Sequence, residues 1–366
     1  MVYDSKLLKF KPQISVKDLK QKEVAMTGHK LLVNGTRASN RILLQKNGRA
    51  LDVISILNLE QYVLGVLISE MPYSWPLEAL KAQAIAIRSY ALAVKKEKEN
   101  QRYHLESSVL DQLYRGIHEE DLKNPKYKKA LRAVFETREL RLWSNRQAMP
   151  KTAASQIAKS FYHSDCGGST IRPEAVWGLR PARAAQIVAL DPSCAKRKKS
   201  SWENRISDKE LNQLLAHTSQ LASKTAGKVS LEKTDEMNLG IRAEKSHLLD
   251  GRVSQVVLKM GSQILSQITG DSFRQILGFD RIKSTRFEVR QQGGSILVQG
   301  RGYGHGAGLC QWGSRDWALQ GWDYQAILRH YYPDFQLTQA AALGLAVSRN
   351  VRTNTSKKHQ QDTSTF

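Results

Sequence analysis

Apolar and polar residues alternate along the chain in ways that predict different elements. Across residues 1–50, short apolar groups are separated by polar residues and glycines, which is typical of strands and predicts a strand-rich lead-in. A short apolar run at residues 51–57 predicts a buried strand. Further strands are predicted from alternating or apolar runs at 141–143, 160–163, 253–258, 287–289 and 296–298.

The first predicted helix ends beside a glutamate. Asn58 is a suitable N-cap, and the apolar stretch after it predicts a helix through Ile68. Pro72 disfavours helical backbone at the residue before it. The helix is therefore expected to stop near Glu70, which places this carboxyl group at a corner of the chain.

A second helix is predicted after Pro76, a residue suited to the first turn of a helix. The apolar residues that follow recur every three or four positions, which predicts a helix with one apolar face. They are Leu77, Leu80, Ala84, Ile87, Ala91 and Val94. Lys81 and Arg88 are expected on another face of this helix, near the corner formed by Glu70.

The remaining patterns complete the prediction of a mixed α+β fold. Residues 120–140 have a helical pattern, whereas residues 200–240 are polar with leucines at helical spacing and are interpreted as a helical insertion. The tail at 348–366 is rich in Thr, Ser, Lys and Gln, a composition typical of disorder. We expect mixed helices and antiparallel strands around one large core, with the main domain at 51–340.

Length and charge restrict the classes of protein that fit. A chain of 366 residues with 41% hydrophobic residues can bury a sizeable core, in one large domain with an insertion or in two domains. Lys and Arg outnumber Asp and Glu by 56 to 34, which gives a net charge of +22 and favours contact with a polyanion. No zinc-finger, helix-turn-helix or RNA-recognition motif accompanies this charge, so nucleic acid is not the expected partner.

Neither a membrane span nor a leader is predicted. No apolar run reaches the ~18 residues that a transmembrane helix needs. Residues 1–20 scatter lysines among short apolar pairs and contain no small-residue cleavage site, so no signal peptide is visible. This pattern fits either a cytoplasmic protein or the trimmed form of an exported one.

Glu70 is the foremost candidate for chemistry. It is followed by Met71 and other apolar residues, and such surroundings remove water from a carboxyl group, raise its pKa and allow it to donate a proton near neutral pH. A glycoside-cleaving acid needs this property. The simpler alternative is an ion pair between Glu70 and Lys81 or Arg88.

A glycine-rich loop at 300–308 carries the second group of candidates. Its glycines would let the backbone approach a ligand closely, and Arg301, Tyr303, His305 and Gln311 could bind sugar hydroxyls. The loop is not a phosphate-binding loop, because it lacks the Gly-Lys-Ser/Thr ending. Alternatively, the glycines form only tight turns and His305 is a hydrogen-bonded core residue.

Several blocks of sequence, in the same order, resemble the stage II sporulation protein D family. The first block reads Glu70-Met71-Pro72 and continues as Trp75-Pro76-Leu77-Glu78-Ala79-Leu80-Lys81-Ala82-Gln83-Ala84. Later blocks include Asp111-Gln112 with Tyr114 and Gly116, His163-Ser164 with Cys166-Gly167-Gly168, and the stretch 300–333. The resemblance covers most of residues 50–335.

The resemblance implies a function in the bacterial cell envelope: cleavage of peptidoglycan glycan strands by a lytic transglycosylase with Glu70 as the catalytic acid and base. The alternative that it implies is a noncatalytic enhancer of a cell-wall amidase. The residues expected to bind substrate are Lys81, Gln83, Arg88, Tyr90, Arg301, Tyr303, His305 and Gln311. Trp75, Tyr90, Trp177 and Trp312 could stack on sugar rings, although packing in the core is the commoner role of such residues.

Three cysteines, Cys166, Cys194 and Cys310, leave the thiol chemistry open. A disulfide between Cys166 and Cys194 is the first alternative, free thiols are the second and a zinc site is the third. Some members of the family hold zinc, and His163 with Cys166 has the spacing of a metal-binding pair. We expect no cofactor, with His163 and Cys166 as the secondary metal-ligand candidates. A zinc peptidase is disfavoured because no His-Glu-x-x-His element is present.

Overall fold

A computed structural model describes most of the chain. The described residues are 3–4, 23–27, 32–33, 36–37, 41–47, 50–109, 111–117, 119–144, 157–177, 187–210, 239–246, 250–260 and 263–339. Helices and several small, mainly antiparallel sheets alternate through these residues, which confirms the predicted α+β class. None of the described helices is both long and apolar enough to cross a membrane.

The described part of the lead-in consists of strands. One sheet has the order β1 (Tyr3–Asp4), β2 (Glu23–Thr27), β5 (Arg41–Asn47) and β6 (Ala50–Ser55), with β1 parallel to β2 and the other pairs antiparallel. The strands β3 (Leu32–Val33) and β4 (Thr36–Arg37) form a separate antiparallel pair. The predicted strand at 51–57 is therefore the last strand of this sheet, paired with β5. The prediction that it is buried was wrong: Val53 and Ile56 are exposed, because β6 is an edge strand.

The first helix, α1 (Leu59–Glu70), begins and ends as its sequence predicts. The Asn58 side chain accepts a hydrogen bond from the backbone N–H of Gln61 at 2.8 Å, which caps a free donor of the first turn. Met71 then adopts an extended conformation and donates its N–H to the carbonyl of Leu67. Glu70 is thus the last residue of the helix.

The second helix, α2 (Leu77–Glu97), is more deeply buried than the periodicity predicts. Leu80, Ala84 and Ile87 pack with α1 in one apolar cluster, as expected for the predicted face. Ala82, Ile85 and Ala86 point the opposite way and pack in a second cluster. The prediction of one apolar face was wrong, because alanines between the larger residues let neighbouring elements pack against the other side of the helix.

The elements around α2 complete these two clusters. They are α3 (Glu119–Leu122), α4 (Lys128–Glu136), the antiparallel pair β7 (Leu140–Ser144) and β18 (Phe335–Gln339), the parallel pair β8 (Tyr162–His163) and β17 (Leu309–Cys310), α8 (Gln311–Leu319) and α9 (Tyr324–Tyr331). The predicted strands at 141–143 and 160–163 and the helical pattern at 120–140 are therefore confirmed. Short elements follow β8 in the chain: β9 (Ser169–Ile171), α5 (Pro173–Val176), β10 (Ile187–Leu190) and α6 (Pro192–Lys196).

The described residues between 201 and 301 include two three-stranded sheets and a helix. One sheet has the order β11 (Ser201–Ser207), β16 (Ser295–Arg301), β15 (Phe287–Gln291), and the other is the meander β12 (Leu239–Ser246), β13 (Arg252–Met260), β14 (Gln263–Thr269). Helix α7 (Gly270–Leu277) places Phe273 against Phe287 in a third apolar cluster. The strands predicted at 253–258, 287–289 and 296–298 are confirmed.

The predicted insertion needs one correction. Residues 201–207 form β11, which pairs along its whole length with β16, so this part of the 200–240 segment is a strand and not a helix. Alternation of side chains along it places Trp202 and Ile206 in the core and Ser201 and Glu203 in solvent. Residues 211–238, with the predicted helical leucines, and the predicted tail at 348–366 lie outside the described residues.

Candidate functional site

Glu70 stands at the end of α1, with one carboxylate oxygen held by a distant backbone group. The N–H of Leu113 donates a hydrogen bond to Oε1 of Glu70 at 2.9 Å. The side chain is neither fully buried nor freely exposed. The proline that ends the helix and the segment that contains Leu113 together fix the position of the carboxyl group.

Burial sets the acidity of this carboxyl group. Loss of hydration raises the pKa of Glu70 above the ordinary glutamate value, whereas the Leu113 N–H, the side chain of Gln311 and the positive charge of Arg115 lower it. Burial is the largest of these effects, and the net direction is upward. Glu70 therefore holds its proton at a higher pH than an exposed glutamate does, which is the property of a general acid.

Three tyrosines face Glu70 from different elements. Tyr62, Tyr162 and Tyr303 all have raised pKa values, chiefly because of burial, and the charge of Glu70 contributes to the increase in each. Tyr62 donates its hydroxyl proton to Oε1 of Gln112 at 2.9 Å. Tyr303 is the most exposed of the three, at 42%, and its hydroxyl lies 3.3 Å from Oδ1 of Asp280.

Gln311 joins the glycine-rich loop to Glu70. It is the first residue of α8 and is buried, and its side chain interacts with the Glu70 carboxyl group. Glu70, Tyr303 and Gln311 are thus the predicted site residues that the structure brings together. Trp312 packs on Trp75 with ring centroids 4.7 Å apart, and the Arg315 guanidinium lies over both rings. These tryptophans hold the start of α8 against the segment that follows α1.

The candidates on α2 have structural partners instead. Arg88 is fully buried and forms two hydrogen bonds with the Glu60 carboxylate, at 2.8 and 2.6 Å. The Lys81 ammonium group pairs with Glu78 at 2.9 Å and with Glu136 at 2.8 Å. Each cation is thus engaged with glutamates in the described structure, and the expected roles of Arg88 and Lys81 in substrate binding stay predictions. An ion pair of either residue with Glu70 is absent from the described residues.

Tyr90 and Gln83 are also part of the packed interior. Tyr90 is buried and donates its hydroxyl proton to Oδ1 of Asp111 at 2.9 Å. Gln83 is completely buried within α2. Both side chains lie in the packed interior, and their expected roles in substrate binding stay predictions. The first motif therefore forms a helix whose middle is buried.

His305 and Arg301 are engaged within the protein. His305 packs against Trp177 and His163 with ring centroids 5.4 and 5.5 Å apart, and its Nδ1 accepts the N–H of Ala307 at 3.1 Å. Burial lowers the pKa of His305 to about 3, so its ring is neutral near pH 7. Arg301 donates to the carbonyls of Ala195 and Arg197. His305 is therefore a hydrogen-bonded structural histidine, which was the alternative interpretation. The ring of Trp177 packs against it.

The glycine-rich loop approaches protein, not an open ligand space. At Gly308 the backbone has φ of +69°, and an added Cβ would lie 1.9 Å from the carbonyl oxygen of Phe161. The loop therefore lies directly on the segment that begins with β8. The sequence-based explanation, a close approach to ligand, was wrong for this position, because the neighbouring chain fills the space that the missing side chain leaves.

The cysteines form a cluster that differs from the predicted one. Cys166, Cys194 and Cys310 are free, buried thiols, and they converge with the carboxylate of Asp191. The Cys166–Cys194 disulfide is therefore not formed. His163 is outside the cluster: its Nδ1 bonds the carbonyl oxygen of Ala307 at 3.0 Å. The structure therefore groups Cys166 with Cys194, Cys310 and Asp191 and not with His163, and the pairing of His163 with Cys166 as metal ligands stays a prediction.

Comparison with known proteins adds an independent result. A family model described as stage II sporulation protein matches residues 47–143, the region that contains Glu70 and Leu113. Stage II sporulation protein D of Bacillus subtilis is 28% identical over 297 residues, which cover 78% of this chain and 75% of that protein. This chain is similar to the stage II sporulation protein D family, both in the matched region and over most of its length.

Two other proteins are similar to this chain over a smaller share of their own length. An uncharacterized protein of Brachyspira hyodysenteriae is 28% identical over 287 residues, 76% of this chain and 66% of that protein. The amidase enhancer of Bacillus subtilis is 28% identical over 302 residues, 75% of this chain and 40% of that protein. This chain thus spans somewhat less than two thirds of the length of the first of these relatives and two fifths of the second.

Three functional candidates in this protein were not predicted from the sequence. Leu113 contributes a backbone N–H, Arg115 contributes a positive charge beside Glu70, and Asp191 contributes a carboxylate to the cysteine cluster. Leu113 and Arg115 alternate with the quoted motif residues between Asp111 and Gly116, so the motif itself was the available signal. Asp191 precedes Cys194 by one helical turn, a spacing compatible with a shared ligand.

Proposed function

We propose that this protein cleaves peptidoglycan glycan strands by the lytic transglycosylase mechanism, with Glu70 as general acid and then general base. The observation that supports this proposal is the Glu70 carboxyl group itself. Burial raises its pKa, and the Leu113 N–H orients it through Oε1. These are the two requirements of an acid that must hold a proton and present it to one oxygen.

The first step breaks the glycosidic bond. Protonated Glu70 donates its proton to the bridging oxygen between N-acetylmuramic acid and N-acetylglucosamine, and the bond from that oxygen to C1 of the muramic acid breaks. Positive charge develops on the sugar ring as this bond lengthens. The Glu70 carboxylate that forms is stabilised by the Leu113 N–H, by Gln311 and by the charge of Arg115, all of which favour the ionised form.

The second step regenerates the acid. The C6 hydroxyl of the muramic acid attacks C1, and its proton passes to the Glu70 carboxylate. The products are a 1,6-anhydro-muramic end and a free hydroxyl on the leaving glycan, and no water is consumed. One carboxyl group serves both steps, whereas hydrolases of the common two-carboxylate type use a second acid beside the bond.

The groups around Glu70 suit a sugar with anionic substituents. Tyr303 presents an exposed phenol beside the carboxyl group, and Arg115 is an exposed cation. In the proposed complex, Tyr303 contacts the sugar and Arg115 attracts carboxylates of the muramic acid or its peptide. The excess of positive charge over the whole chain favours an anionic wall in the same way.

The test is a digestion of purified glycan, with and without its peptides, followed by mass spectrometry of the ends. The wild type is expected to release 1,6-anhydro-muramic ends, and Glu70→Gln is expected to release none because it cannot donate the proton. Glu203→Gln, on the exposed side of β11, is the control and should keep the activity. Anhydro ends released equally by Glu70→Gln would overturn the role of Glu70.

The second candidate function is enhancement of a cell-wall amidase in the envelope. It is favoured by one relative, whose name is amidase enhancer. In this case the protein binds glycan without cutting it and increases release of peptides by an N-acetylmuramoyl-L-alanine amidase. Glycan binding without anhydro products, together with faster peptide release in both wild type and Glu70→Gln, would select this function over cleavage.

A further inference from the structure

We propose that Cys166, Asp191, Cys194 and Cys310 form a closed zinc site that ties three parts of the fold together. Cys166 follows β8, Asp191 and Cys194 lie at the start of α6, and Cys310 ends β17. All four side chains are buried, and one potential ligand atom from each lies within 4.8 Å of the others. The proposal does not depend on the proposed catalytic function.

The separations of the ligand atoms are close to those of a tetrahedral site. Zinc–sulfur bonds of about 2.3 Å in a tetrahedron place two sulfur atoms about 3.8 Å apart. The Sγ atoms of Cys194 and Cys310 are 3.8 Å apart. The Sγ of Cys166 lies 3.2 Å from Oδ2 of Asp191. These groups need shifts of only about an ångström to surround one ion at standard zinc distances.

The chemistry of the donors favours zinc. Thiolates are soft ligands and select zinc over magnesium, calcium or manganese. Four protein ligands complete a tetrahedron, which is the arrangement of a structural zinc site rather than a catalytic one with an open position. Binding requires thiolates, so the ion displaces the thiol protons to solvent as the bonds from sulfur to zinc form.

A shell of hydrogen bonds already orients the ligands. The Trp317 indole N–H and the Tyr331 hydroxyl donate to Oδ1 of Asp191 at 2.8 and 2.9 Å. The backbone N–H groups of Cys166 and Gly313 point at the sulfur of Cys310, at 3.2 and 3.3 Å. Donors of this kind hold ligands in place and offset the negative charge that three thiolates and a carboxylate leave around one zinc ion.

A structural disulfide explains the cluster less well. A disulfide would join two of the three sulfurs. It would not explain why the third thiol and the buried Asp191 carboxylate lie beside them. Asp191 is completely buried, with the Nε2 of His330 3.4 Å from its Oδ1, and its Oδ2 faces the Cys166 sulfur. Buried carboxylates are normally paired or coordinate a metal. A zinc ion accounts for all four side chains at once.

The site also has a consequence for the neighbouring carboxyl group. Cys310 immediately precedes Gln311, whose side chain interacts with Glu70. A metal at Cys310 would fix the start of α8 and, through it, the position of Gln311. Zinc removal is therefore expected to loosen this contact.

The first test is the metal content of the full wild-type chain, purified with a reducing agent from zinc-supplemented cells. Elemental mass spectrometry should find zinc in equimolar amount to the chain, and a thiol-modifying reagent should release it. Exchange for cobalt should give the intense thiolate-to-cobalt absorption of a tetrahedral sulfur site. No zinc and no uptake of added zinc, another metal in its place, or a disulfide between two of these cysteines would overturn the proposal.

Two variants and one control locate the site. Cys194→Ser and Asp191→Asn should bind zinc at least tenfold more weakly, because each removes one ligand. His163→Gln should keep the zinc, since His163 lies outside the cluster although its sequence spacing to Cys166 suggests a ligand. Zinc lost from His163→Gln and kept by Cys194→Ser would refute this ligand set. The wild-type measurement stands even if a variant fails to fold.

Discussion

The backbone N–H of Leu113 donates a hydrogen bond to Oε1 of Glu70, across 43 positions of sequence and at 2.9 Å. This contact offsets part of the cost of burying the Glu70 carboxylate, but burial still dominates and the pKa of Glu70 is raised. The carboxyl group therefore prefers its protonated form more strongly in the folded chain than in the unfolded chain. Both stability and activity should record this preference as the pH changes.

Glu70→Gln should change how stability depends on pH. Because the folded pKa of Glu70 lies above the unfolded pKa, the folded chain binds the proton more tightly, and its stability decreases as the pH rises from the unfolded pKa through the folded pKa. Glutamine carries no charge and removes this decrease. The free energy of unfolding from urea titrations should fall from acidic to neutral pH more in the wild type than in Glu70→Gln. Parallel curves for the two proteins would contradict the raised pKa.

Arg115→Gln should shift the basic limb of the pH–rate profile. The charge of Arg115 lowers the pKa of Glu70, so its removal raises that pKa and keeps the acid protonated to higher pH. The midpoint of the basic limb in kcat/KM should move upward by less than about one pH unit, because Arg115 is exposed and its charge is screened. Lys95→Gln, an exposed lysine on α2, is the control. A downward shift, or the same shift in both variants, would argue against the assignment.

The local elements could be predicted from the sequence because local chemistry determines them. Asn58 caps α1, and Pro72 ends it at Glu70, so the position of the acid followed from neighbouring residues. The environment of Glu70 could not be predicted from neighbouring residues, because Leu113, Arg115 and Gln311 reach it through long-range packing. No periodicity within one helix contains that information.

Charged residues of α2 show the same limit. The sequence indicates that Arg88 is a cation near a glutamate, and solvent or substrate would be the default environment of such a residue. The structure buries it completely because Glu60 of α1 supplies both carboxylate oxygens. The cluster of Cys166, Asp191, Cys194 and Cys310 is likewise formed by strands and helices far apart in sequence.

Glu60→Gln should destabilise the fold without changing the chemistry. It leaves the buried Arg88 charge with only carbonyl acceptors, and loss of one partner from such a pair costs about 3 kcal/mol. Urea unfolding should show this loss, while kcat/KM per folded molecule stays close to the wild-type value. Glu60→Leu combined with Arg88→Met removes both charges and should recover part of the stability. Normal stability with weakened glycan binding would instead support Arg88 as a substrate-binding residue.

Gly308→Ala should destabilise the protein more than Gly321→Ala. Both glycines have positive φ, at +69° and +91°, so alanine costs about 1–2 kcal/mol at either position. Only at Gly308 would the new Cβ also meet a backbone carbonyl oxygen, that of Phe161, and nothing lies within 4 Å at Gly321. The midpoint of thermal unfolding should fall further for Gly308→Ala. Equal losses would show that the loop does not rest on the segment from Phe161.

The central claim, cleavage without water through Glu70, is tested most directly by digestion of glycan in water enriched in the heavy oxygen isotope. The wild type should produce 1,6-anhydro-muramic ends with no isotope from the solvent, because the C6 hydroxyl supplies the oxygen, and Glu70→Gln should produce none of these ends. New reducing muramic ends, formed by the wild type in place of anhydro ends and not by Glu70→Gln, would contradict the account, because a cut by water leaves a reducing end and attack by the C6 hydroxyl does not.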